Sequence, residues 1–99
     1  MKKVLVIGMN EEITNVVIRL LHAMEGYSGV ANNSINEMLT SLRENKYDFL
    51  LIGAGFDEEQ ENTIRKKALE INPKIKILNH FGGGSGLLKA ELEQLNNES

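Results

Sequence analysis

Three short, predominantly apolar runs punctuate the chain, unbroken at Val4–Ile7 and interrupted by one charged residue each, Asp48 and Lys76, at Tyr47–Ile52 and Ile75–Leu78, and between them hydrophobic positions recur at helical spacing. Near-continuous aliphatic runs of this kind predict parallel strands covered on both faces. After the first run, Asn10 is placed to cap a helix whose first turn carries Glu11 and Glu12. Ile13, Val16, Val17, Leu20, Leu21 and Met24 repeat along that helix as its buried face, and Gly26 ends it. Tyr27–Ala31 is weakly apolar, with Val30 its only branched aliphatic residue, and its position between two helices predicts an edge strand. Ser34 with Glu37 is a capping-box pattern, followed by Ile35, Met38, Leu39 and Leu42 on one face. Asp57 with Gln60 is a second one, opening a helix to about Glu70 with a narrow stripe of Ile64, Ala68 and Ile71. Asn72-Pro73 stops it. Leu88, Leu92 and Leu95 give a closing helix its stripe.

The alternation is βαβαβαβα, which implies parallel pairing through right-handed crossovers. The predicted fold is α/β: one domain over residues 1–99, a three-layer sandwich around a four-stranded parallel sheet. In such sheets ligands bind outside the carboxyl ends of the strands. Those ends carry Gly8-Met9-Asn10, Gly53-Ala54-Gly55 and Asn79-His80-Phe81, the last continuing into Gly82-Gly83-Gly84-Ser85-Gly86.

Composition narrows the function. A net charge of −3 and a pI near 5.4 argue against nucleic acid as a partner. There is no cysteine, hence neither disulfides nor thiolate metal sites. The amino-terminal apolar run is too short for a signal peptide and no stretch reaches membrane-span length, so a cytoplasmic location is expected.

KKVLVIGMN as first strand and turn, GYSGVANNS as the second strand region and NKYDFLLIG as the third together resemble the receiver domain of two-component response regulators. The resemblance covers residues 1 to about 79. It implies a flavodoxin-like sheet with strand order 2-1-3-4. Receivers hold magnesium with acidic residues just after the first strand and phosphorylate an aspartate at the end of the third. Here Gly8 and Met9 occupy the first place and Gly53 the second. The two aspartates, Asp48 and Asp57, fall before the third strand's apolar run and at a helix cap. A fifth strand and its lysine do not follow Leu78. The resemblance therefore implies a shortened pseudo-receiver that cannot be phosphorylated, working as a regulatory or protein-interaction module without a cofactor.

The glycine run keeps three readings: a turn, an anion site formed by converging N–H groups at a helix start, or close packing against a second chain. It is no Walker motif, since no Lys-Ser/Thr follows. A small-ligand protein binding phosphate, another anion or a nucleotide is thus the alternative function, with Gly8, Met9, Asn10, Gly53, Asn79, His80, Gly82, Gly83, Gly84, Ser85 and Gly86 as candidate ligand residues. His80 has no identifiable carboxylate or nucleophile partner, and His22 reads as solvated. Glu11 and Glu12 are accounted for by the helix dipole without a metal. No nucleophile, base and oxyanion set can be assembled, which disfavours an enzyme. Without a fifth strand, Lys74–Leu78 becomes an outer edge, and pairing there with a second copy predicts a homodimer.

Overall fold

The computed structural model describes residues 2–53, 55–78, 90 and 92–94. Its elements run β1 (Lys2–Ile7), α1 (Glu11–Ala23), β2 (Tyr27–Asn32), α2 (Ile35–Glu44), β3 (Phe49–Ile52), α3 (Glu58–Ile71) and β4 (Lys76–Leu78). The strands form one sheet in the order β2-β1-β3-β4, all pairs parallel, with Val4 opposite Phe49 and Leu51 opposite Leu78. The expected architecture and strand order are both present.

Strands β1 and β3 sit centrally because they have apolar side chains for both faces. Val4, Leu5, Val6 and Ile7 are each fully buried, as are Leu50, Leu51 and Ile52. Leu5, Ile7, Leu50 and Ile52 pack with Met38 and Leu42 of α2 and Ile64 and Ala68 of α3. Val4, Val6, Phe49 and Leu51 face the other way, toward Val17, Leu21 and Met24 of the α1 segment and toward Leu92. Ala90 and 92–94 are helical, so the closing helix covers the same face as α1. Leu88 and Leu95 lie outside the described residues.

Three sequence expectations need adjusting. The first concerns α1, whose buried residues are Thr14, Val17 and Leu21. Ile13 and Val16, expected in the core, are each 51% exposed. The helix carries two adjacent apolar stripes, and the one that includes Thr14 faces the sheet. The second concerns Ser34 and Glu37, which share only half a capping box. Ser34 Oγ accepts from Glu37 N at 3.1 Å, but Glu37 Oε1 accepts from Asn33 N rather than from Ser34 N. By contrast, Asp57 and Gln60 form the full reciprocal box. The third concerns ends: β3 starts at Phe49 rather than Tyr47, and β4 at Lys76 rather than Ile75.

Candidate functional site

The carboxyl ends of β1 and β3 meet at the switch point of the sheet, where Gly53 N donates to Ile7 O at 2.8 Å and Gly8 N to Asn32 O at 3.2 Å. This places Gly8, Met9, Asn10 and Gly53 at the same end of the sheet. Gly8 and Gly53 are buried, while Met9 is 57% exposed. Asn79, His80 and Gly82, Gly83, Gly84, Ser85 and Gly86 lie outside the described residues.

Asn10 is committed to capping, its Oδ1 accepting from Ile13 N at 3.2 Å. The residue that sequence reasoning missed is Thr14. Its hydroxyl donates to the carbonyls of Asn10 at 3.2 Å and Glu11 at 2.9 Å, which fixes its methyl over the strand end. A Cβ placed on Gly8 would lie 2.5 Å from that methyl. The available signal is a threonine four residues after the cap, where its hydroxyl can bond the i−4 carbonyl. Across the switch point, Met9 lies against Gly55, its Cβ and Sδ each 3.5 Å from where a Gly55 Cβ would stand. The Thr14 methyl thus takes the space a side chain at Gly8 would need, and Met9 lies beside Gly55.

Neither aspartate reaches this place. Asp48 lies at the opposite end of β3, its Oδ2 accepting from Lys3 N at 2.8 Å. Asp57 caps α3, accepting from Gln60 N at 2.7 Å. Among the described residues no three His, Asp or Glu side chains gather closely enough to hold a metal ion. No helix among them is long and apolar enough to cross a membrane.

The overall fold is shared with solved structures. A CheY-like response regulator receiver domain protein from Methanospirillum hungatei JF-1 superposes with a TM-score of 0.78 at 15% identity, over 97% of this chain and 94% of that one. The chain has the receiver fold. The receiver domain of the hybrid histidine kinase CckA gives a TM-score of 0.72 at 21% identity, over 94% and 97% of the two chains. A chain from the complex of histidine kinase ThkA with response regulator protein TrrA gives 0.73 at 16% identity, over 96% and 98%. No family model and no curated protein matches the sequence. The receiver fold is therefore carried by topology and burial pattern, with little residue identity behind it.

One further surface belongs to this end of the molecule. Met9, Ile13 and Val16 follow one another at helical spacing and are all more than half exposed, at 57%, 51% and 51%. They form an apolar stripe on the outer side of α1, starting at the switch point.

Proposed function

We propose that this chain is a receiver-like protein-interaction module that does not undergo phosphorylation. The observation that carries the reading is the Thr14 methyl lying 2.5 Å from where a Gly8 Cβ would stand. In receivers this strand end bears a carboxylate that helps hold magnesium. Here it bears glycine, and the space a side chain would need is taken. Gly53 at the end of β3, and Asp48 and Asp57 engaged elsewhere, support the same reading. A receiver scaffold without phosphorylation chemistry still offers surfaces. The TrrA structure was solved with a histidine kinase, and the Met9–Ile13–Val16 stripe is an apolar face of the kind that marks a protein contact.

The test is incubation with a small-molecule phosphodonor and magnesium, read by intact mass. The expected result is an unmodified chain. A hydroxylamine-labile phosphoryl adduct overturns the proposal.

For assembly, we propose a two-fold homodimer that buries the Lys74–Leu78 edge. Among the described residues β4 pairs with β3 alone, and its three residues are half-buried. Light scattering at micromolar concentration that finds only the 11.1 kDa species removes this part without touching the first.

A further inference from the structure

At the end of the sheet opposite the switch point, α2 and α3 finish side by side, with Asn45 and Asn72 as their carboxyl-terminal caps. Asn72 ties the neighbouring loops together. Its Nδ2 donates to Tyr47 O at 3.0 Å and its Oδ1 accepts from Lys74 N at 3.2 Å. Between the two helix ends lies a cavity of about 650 Å³, within the size range of ligand pockets. Leu42, Ile71 and Pro73 supply its apolar lining, Arg43, Lys46 and Lys74 its positive charge, and Glu44 a single carboxylate. A second cavity of about 280 Å³ shares Lys46, Asn72 and Lys74 with the first and extends it to Lys2 and Lys76. The two make one groove.

The charge of this groove runs against that of the chain. Among the described residues five cationic ones line it against two carboxylates, Glu44 and Asp48, in a protein whose net charge is −3. Asp48 already accepts a backbone N–H from Lys3. Among the described residues no ion pair holds Arg43, Lys46 or Lys74. Complementing the negative ends of the helices explains Arg43, which stands in the last turn of α2. It does not explain Lys46 and Lys74, which lie beyond the caps, and α3 has no basic residue in its last turn.

The lining selects among anions. Single-stranded nucleic acid is held by bases stacked on exposed aromatic rings, and the groove's tyrosine, Tyr47, is only 6% exposed. An apolar floor under a cationic rim suits instead a chain that alternates carboxylates with an aliphatic side chain. We propose that this groove binds an acidic peptide segment of a partner protein, one aliphatic residue seated between α2 and α3 and its carboxylates on Lys46, Lys74 and Arg43. The proposal is separate from the phosphorylation question, but it uses Lys74, which the proposed dimer edge buries, so peptide binding and pairing of that edge are alternatives at this end of the molecule.

The experiment is fluorescence anisotropy on the full chain. The probe is a fluorescein-labelled peptide of glutamates around a central leucine. The comparison probes are the same peptide with a central alanine and an oligothymidylate of similar charge. The expected result is saturable binding of the leucine peptide, weaker binding of the alanine peptide, and no comparable binding of the oligonucleotide. Lys46→Glu together with Lys74→Glu lowers affinity at least tenfold, whereas Lys66→Glu on the outer surface of α3 leaves it unchanged. Thermal melts of both variants establish that they fold. Raising salt from about 0.1 M to about 1 M, which shortens the screening length from about 10 to 3 Å, weakens binding further. No saturable binding, equal affinity in the double variant, or equal affinity for the oligonucleotide overturns the proposal.

Discussion

Replacing Gly8 with alanine sets two effects of opposite sign against each other. Alanine narrows the unfolded ensemble, which stabilises a compatible position by about 0.4–1 kcal/mol. Against this, the added Cβ falls 2.5 Å from Thr14 Cγ2, and overpacking a well-filled site costs about 1–3 kcal/mol. Thr14 is 1% exposed and its hydroxyl holds two backbone carbonyls, so turning the methyl away sacrifices hydrogen bonds worth about 1 kcal/mol. The steric effect should win. Gly8→Ala is expected to lose about 1–2 kcal/mol, or roughly 4–16 °C in Tm for a domain of this size.

The cause is separable from any other defect at the strand end. Thr14→Ser removes the methyl and keeps the hydroxyl. Alone it loses about 0.8 kcal/mol of burial. In the Gly8→Ala background it removes the obstruction, so the double variant is expected to be more stable than Gly8→Ala itself. Urea denaturation of the four proteins gives the coupling energy, expected to reach at least about 1 kcal/mol. Gly8→Ala more stable than the parent, or additive effects in the double variant, would refute the steric account. With it would go the main support for a strand end closed to a carboxylate.

Ile13→Glu and Val16→Glu should each stay within about 0.5 kcal/mol of the parent in the same assay, while Leu21→Ala, fully buried on the sheet-facing stripe, should lose about 2–5 kcal/mol; a 3 kcal/mol loss at Ile13 would return it to the core. Leu92→Ala should also lose about 2–5 kcal/mol, because Leu92 is fully buried against the β1–β3 face; a loss under about 0.5 kcal/mol means that the closing helix does not hold that face. Burial first, and then the charge of Glu44, raises the Tyr47 phenol above its ordinary value, and burial followed by Glu93 does so for Tyr27. Above the ordinary tyrosine value near 10 the unfolded chain ionises first. The tyrosine contribution is therefore intact below about pH 10 and lost as pH rises through the folded values. Tyr47→Phe should flatten the alkaline fall in stability, and an unchanged pH profile would count against this origin.

Strands β1 and β3 are legible in the sequence because residues buried on both faces leave no polar alternation, and such runs occur nowhere else at this strength. Strand β2 is scarcely legible. Val30, its one branched aliphatic residue, ends up 45% exposed, and the strand exists because it pairs with β1 from Lys2–Tyr27 to Ile7–Asn32. That is tertiary context overriding local preference. The caps at Asn10, Ser34 and Asp57 were readable because each is a local hydrogen bond between neighbours in sequence. The choice between the two stripes of α1 was not readable from hydrophobicity, which ranks Ile13 above Thr14. Their order reverses because the Thr14 hydroxyl is satisfied by its own helix, leaving a methyl free to pack on a glycine. The same blind spot hid the site. Strand-end logic brought Gly8, Asn10 and Gly53 together, but the side chain that closes the place comes from one turn further into the helix.

A parallel α/β sheet separates charge along its strand axis without any special design. Helices α1, α2 and α3 begin at the carboxyl rim, and their first turns hold Glu11, Glu12, Glu37, Glu58, Glu59 and Glu61, where the dipole favours them. In a receiver this end also needs carboxylates on the strands, so that a divalent cation offsets the accumulated negative charge. In this chain β1 and β3 end on glycines, and the acidic residues of the first turns are left on the helices. The cations gather at the other rim, where the dipole accounts for Arg43 but not for Lys46, Lys74 or Lys2. The charge that a receiver concentrates at one end is thus divided here between two. An acidic partner approaching this molecule is repelled by the switch-point end and drawn to the groove between α2 and α3.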